Sequence, residues 1–155
     1  MADNQYMRID EAISGKEGKA FATIDGNVEF MFNVRKLEAT VTANKITRTP
    51  INSRATQHRK IGWEGAGSLT LYFSSDKYRA LMQRYIETGV DTFFDIQVTN
   101  ADPQNVDRIG RQIVRLLRVN LDSSLIAMLD EEAELLEEEV PFTFEGVEYI
   151  ERFSI

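Results

Sequence analysis

Apolar residues recur with a period of two along most of the chain and with a helical period in one stretch. Phe21-Ala22-Thr23-Ile24, then Asp25-Gly26, then Val28, Phe30, Phe32 and Val34 at alternate positions describe a β-hairpin. Asp-Gly suits its turn, because glycine accepts positive φ and a primed turn matches the twist of the strands. The next strand sets Leu37, Ala39, Val41 and Ala43 against Glu38, Thr40, Thr42 and Asn44. The first apolar set sits at even positions and the second at odd ones. A strand's side-chain period is two, so the change of parity predicts a bulge or break near Arg35-Lys36. Alternation is then lost from Asn44 to Lys60 and returns as Ile61, Trp63, Leu69, Leu71 and Phe73. Gly62, Gly65 and Gly67 fall inside this strand. No Gly-Lys-Ser/Thr follows, so they read as bends or close backbone approach rather than a phosphate loop.

Ser74-Ser75-Asp76 opens a predicted helix over 75–88. Tyr78, Leu81, Met82, Tyr85 and Ile86 form one apolar stripe on it, expected to face a sheet, and Gly89 ends it. Asp76, Arg79, Gln83, Arg84 and Glu87 are expected to point outward. Phe94, Ile96 and Val98 begin another strand, 100–105 is a turn, and Ile113, Arg115, Leu117, Val119 and Leu121 share one strand face. From Asp130 to Glu139 there are seven acids and no base. Propensity there says helix, yet the run leads directly into the alternating Val140-Pro141-Phe142-Thr143-Phe144.

Composition narrows the chemistry. The 155 residues suit one domain, 1–155, with a polar arm at 1–18 and a long basic loop at 45–60. With 18 Lys and Arg against 25 Asp and Glu, the formal charge is −7, a poor basis for gripping DNA or an anionic membrane. Cysteine is absent, which removes disulfides, thiolate metal sites and cysteine nucleophiles together. His58 is the one histidine, so no catalytic triad, metal site or cofactor is expected. The N-terminus has no basic start followed by an apolar run, so no secretory signal is expected.

Several segments, taken in order, resemble one family. They include Gly15-Lys16-Glu17-Gly18, Leu37-Glu38-Ala39-Thr40-Val41-Thr42-Ala43-Asn44-Lys45 and Gly62-Trp63-Glu64-Gly65-Ala66-Gly67-Ser68-Leu69-Thr70-Leu71-Tyr72. Toward the end come Val119-Asn120-Leu121-Asp122-Ser123 and Leu135-Leu136-Glu137-Glu138-Glu139-Val140-Pro141-Phe142-Thr143-Phe144-Glu145. Together these resemble the tail tube protein of PBSX-like prophages, contractile-tailed phages and phage-tail-like bacteriocins, over about Ile13 to Phe144. The resemblance implies a mainly β fold, sandwich- or barrel-like, with one flanking α-helix. It implies rings of six copies whose inner sheets join into a barrel, and rings stacked as a hollow conduit for DNA or ions. It places the acidic start of the last strand in β structure, against propensity. The implied partners are further copies, the sheath, the baseplate and tape-measure proteins, with DNA as passing cargo and no membrane. The implied location is a virion or tail-like particle assembled in the bacterial cytoplasm.

Within that reading, polar parity makes Glu38, Thr40, Thr42, Glu64, Ser68 and Thr70 candidate lumen positions. Lys45, Arg48, Arg54, Arg59 and Lys60 form a basic contact loop. Glu131, Glu132, Glu134, Glu137, Glu138 and Glu139 form its acidic counterpart on a neighbouring copy. Such segregation of charge within one chain suits a head-to-tail contact. Two alternatives remain open. One is a monomeric β-barrel binding a small apolar ligand, with Phe30, Phe32, Tyr72, Phe93 and Phe94 as pocket wall. The other is the inner tube of a type VI secretion system, which shares fold and assembly.

Overall fold

A computed structural model describes residues 9–12, 14–16, 18–31, 34–73, 76–104 and 106–154. Phe32, Ser74 and Ser75 (expected to open the helix), Asn105 and residues 1–8 of the arm lie outside the described residues. The chain is mainly antiparallel β with one α-helix among them, as expected. Its contacts group into two compact units. One holds 1–32, 94–117 and 147–155, and the other 33–93 and 118–146.

In the first unit, β1 (Gly18–Ile24) and β2 (Asn27–Phe30) form the expected hairpin, with Ile24 opposite Asn27. Asp25 (φ 51°) and Gly26 (φ 83°) both take the left-handed conformation that a type I′ turn requires. The other edge of β1 pairs with β5 (Phe94–Asn100), where Ala22 and Ile96 face each other fully buried. β5 borders β6 (Gln112–Leu121), which in turn pairs with β8 (Gly146–Glu151). The buried Asp102 carboxylate accepts hydrogen bonds from the Ser14 and Gln104 amides, each at 3.0 Å. It fastens the end of the N-terminal arm to the turn after β5.

The second unit is built on a long hairpin, β3 (Val34–Arg48) with β4 (Gln57–Tyr72), flanked by the helix α1 (Lys77–Thr88). β4 also pairs with β7 (Glu137–Phe144), and β7 with the last residues of β6. Leu69, Leu71, Val140 and Phe142 are sealed from solvent and form its core. The parity break lies where the sequence predicts it: Val34 faces Leu71 and Lys36 faces Thr70, so Arg35 is the extra residue. A second shift, between Asn44 and Lys45, leaves Ile61 extra on β4. A Cβ on Gly67 would overlap the Glu38 carbonyl and the Phe142 ring, and one on Gly65 would overlap Phe144. These glycines therefore mark close approach.

Four expectations need correction. The segment 45–60 is not a long loop. It is the outer part of the hairpin, with Lys45 to Arg48 in β3, Gln57 to Lys60 in β4, and a connection of only 49–56. Alternation fails there because both faces are exposed, so nothing selects apolar residues for one side. In β6, Arg118 takes φ 53° and splits the supposed single face. Leu116 is buried before it, Val119 and Leu121 after it. The helix ends as expected, with Gly89 at φ 71° donating to the Tyr85 carbonyl at 2.8 Å. Its stripe is buried at Tyr78 and half-buried at Leu81 and Met82, but Tyr85 and Ile86 stand in solvent. Arg79, expected to point outward, turns inward onto Glu138. Because Leu81 is half-buried, Leu81→Ala should cost about 1–2 kcal/mol, below the 2–5 of a sealed leucine. Urea denaturation reads this directly.

Candidate assembly surface

The strand register brings the six candidate lumen residues onto one face. Glu38 faces Ser68, Thr42 faces Glu64, Thr40 faces Ala66, and Thr70 lies between Lys36 and Glu139. Directly opposed residues in antiparallel strands share a face, so β7, β4 and β3 present one continuous polar surface. β7 extends it with Pro141 and Thr143. By register its charges are Glu38, Glu64, Glu137 and Glu139 against Lys36, with Arg48 and Arg59 on the same parity toward the hairpin tip, and Lys36 is bonded to Glu38 at 3.1 Å. The opposite face carries Leu37, Ala39, Val41, Ala43 and Trp63. Val41 is 51% exposed and Trp63 46%, although Trp63 leans on Phe144 with ring centroids 6.4 Å apart. Among the described residues nothing pairs with the outer edge of β3, and β4 before Gly65 pairs only with β3. Among the described residues the hairpin thus combines open backbone edges with an apolar face left partly exposed.

Of the basic set, Lys45, Arg48, Arg59 and Lys60 lie on the strands of this hairpin and Arg54 in its connecting turn. Lys45 directly opposes Lys60, and Arg59 opposes Ile46. Like charges directly opposite are destabilising in a sheet, and no acid among the described residues pairs with any of the five. His58 stands exposed opposite Thr47.

The acidic run divides in two. Asp130 to Leu136 is turn and irregular structure, and β7 begins at Glu137. Its start is therefore β, as the family resemblance implies, and not helix. Glu131, Glu132 and Glu134 are exposed, and so is Glu139 on the polar face. Glu137 is held by Arg35 at 2.7 Å. Glu138 is no contact residue, because it is only 3% exposed. Its Oε1 accepts from Arg79 Nη1 at 3.1 Å, while Oε2 has no partner among the described residues. Burial pushes this carboxyl above its usual pKa, opposed by the Arg79 charge and by the Leu125 backbone amide. Arg79 in turn lies over the Phe73 ring at 4.2 Å. Its partnership with a residue 59 positions away has no signal in local spacing.

Of the aromatic residues of the ligand-pocket alternative, Phe32 lies outside the described residues. Phe30 packs on Phe21 at 5.3 Å in the first unit, and Phe94 is buried there. Phe93 lies in the second unit beneath the Arg118 guanidinium at 4.1 Å. No group of His, Asp and Glu among the described residues could hold a metal ion. No helix among them is long and apolar enough to cross a membrane.

Comparison with known proteins bears on this surface. A family model described as phage tail tube protein matches residues 5–151. The chain is 40% identical over 148 residues to the phage-like element PBSX protein XkdM of Bacillus subtilis (strain 168), covering 96% of this chain and 97% of XkdM. Its fold is similar to a chain in the sheath/tube terminator of an extracellular contractile injection system. That match has a TM-score of 0.69 at 9% identity and covers 92% of this chain and 99% of the other. A chain in the baseplate of the anti-feeding prophage is similar too, with a TM-score of 0.65 at 8% identity, covering 90% of this chain and 95% of that one.

Proposed function

Since the chain belongs to the phage tail tube protein family, we propose that six copies close into a ring and that rings stack into the hollow inner tube of a contractile tail or tail-like particle. The observation that carries this is the β3–β4 hairpin, which among the described residues has one polar face, one partly exposed apolar face and open edges. Pairing those edges between copies removes a liability that a free subunit otherwise exposes. The polar face, richer in Glu than in Lys, suits the lumen. Acids there repel phosphates, so DNA slides without the counterion release that would hold it. The role is structural, and the particle is the chain's place of work, next to a sheath and a baseplate. Rings assemble in the host cytoplasm before the particle leaves.

The bases of the hairpin, which have no acidic partner among the described residues, and the exposed acids Glu131, Glu132 and Glu134 then choose the partner face. Exposed pairs contribute only about 0–1 kcal/mol each, so their main effect is on register and rate of association. Reversing Arg48, Arg54 and Arg59 to Glu should slow assembly by about tenfold or more without lowering the melting temperature. Reversing Glu131, Glu132 and Glu134 to Lys in the same chain should restore part of the rate. Light scattering against time, with sedimentation of the end product, measures both. Unimpaired growth of the first variant, or no rescue in the second, removes the charge pairing. A wild type that sediments as a monomer at high concentration removes the tube.

A further inference from the structure

We propose that a groove beside α1 receives the tip of the β3–β4 hairpin from a second copy, with Ile51 as the inserted side chain. The inference rests on the tube reading only in requiring that copies of the chain touch. The groove is about 320 Å³. Its apolar part is formed by Leu81, Met82, Tyr85 and Leu121, and Asp91 and Asp122 stand at its wall. A dry cavity of about 150 Å³ holds a benzene-sized group, so there is room for an isoleucine side chain and the apolar stem of a neighbouring arginine. Asp91 is fixed in place, its Oδ1 accepting from Asn120 Nδ2 at 2.7 Å and from the Thr92 amide at 2.9 Å. The Thr92 hydroxyl, also on the groove wall, is buried without a hydrogen-bond partner among the described residues. The exposed Tyr85 extends the apolar part outward.

The hairpin tip has the complementary form. Ile51 is 92% exposed, between Arg48 and Arg54, neither of which has an acidic partner among the described residues. An apolar knob flanked by cations fits an apolar groove whose lining includes two carboxylates, which join Glu131, Glu132 and Glu134 as acids that meet the hairpin bases. The knob is also pre-set. Asn52 takes φ 71°, the Ser53 amide donates to the Pro50 carbonyl at 3.3 Å, and the hydroxyls of Thr49 and Thr56 close the strands at 3.2 Å. A tip already held in one conformation loses little entropy on docking. Its exposure shows that it does not fill the groove of its own chain, and the opposite charges of tip and groove favour the groove of another copy.

The chain has no cysteine, so introduced pairs report contacts cleanly. In assembled protein, Ile51→Cys with Tyr85→Cys in one chain should give a ladder of disulfide-linked oligomers on mild oxidation. The control pair Val28→Cys with Tyr85→Cys should give none. Ile51→Asp should reduce assembly at least tenfold with an unchanged melting temperature, since the residue touches little in the free chain. Met82→Trp, which fills the groove, should do the same if it folds, and the Ile51 variants carry the test if it does not. Wild-type assembly with no 51–85 ladder, an equal ladder from the control, or normal assembly of Ile51→Asp overturns the groove contact and leaves the tube reading standing. A wild type that never assembles overturns both. A ladder that forms only with an added basic peptide partner overturns the second copy as occupant.

Discussion

Arg79→Ala should lower the stability of the folded chain by about 3–5 kcal/mol at neutral pH, the usual cost of stranding one member of a buried ion pair. Glu138 is sealed under α1 and the segment around Leu125, and one of its oxygens already lacks a partner. Without the guanidinium, the Leu125 amide alone would oppose burial of the charge. The pH dependence follows from the direction of the shift. The carboxyl's pKa in the fold lies above its ordinary value of 4.5, so between those two values the folded chain holds a proton that the unfolded chain has lost. Stability therefore falls as pH rises through the folded pKa, and the penalty disappears below about 4.5. Removing Arg79 raises the folded pKa further and widens this window. Urea denaturation of wild type and variant at pH 7 and pH 5 should show the gap narrowing on acidification. Glu138→Gln in the Arg79→Ala background should recover much of the loss at pH 7. An equal gap at both pH values would assign the effect to lost packing of the arginine on Phe73 instead.

Gly67→Ala should cost about 3 kcal/mol, the upper part of the range for overpacking. The added methyl meets two obstacles of different stiffness. The Phe142 ring is packed at the centre of the second unit, and the Glu38 carbonyl is backbone in a paired strand. A side chain can yield, whereas a strand held by its ladder yields only by losing hydrogen bonds. Phe142→Leu should therefore recover only part of the loss when combined with Gly67→Ala, although residues in contact couple. By contrast, Gly15→Ala, with open space around it, should leave the melting temperature unchanged. Differential scanning calorimetry of the set orders these effects.

Local chemistry was enough to read the elements whose cause is local. Asp25-Gly26 announces its turn, Gly89 its helix end, and the parity change at Arg35 its bulge, because each depends on a few neighbouring φ angles or on the two-residue period. The outer hairpin was illegible for a definite reason. Alternation records burial on one face, and residues 45–60 bury neither, so a strand there looks like a loop. The acidic run failed in the opposite sense. Glutamate favours helix by tenths of a kcal/mol per residue, while pairing of Glu138 with Leu71 and of Glu139 with Thr70 sets a strand. Arg118 escaped because a left-handed arginine leaves no mark in a hydropathy pattern. Strand parity alone was enough to group the six candidate lumen residues on one face. The acidic contact set lost Glu138 to the interior, and only the three-dimensional position of Arg79 reveals that.

The central claim is that this subunit builds a tube whose channel is lined by the polar face of β7, β4 and β3. Electron cryomicroscopy of the assembled protein tests it most directly. The account predicts hollow tubes of stacked sixfold rings, with Glu38, Thr42, Glu64 and Ser68 facing the channel and the Trp63 face buried between neighbouring subunits. Rings with that polar face on the outer wall, or a chain that remains a monomer at every concentration, would contradict it.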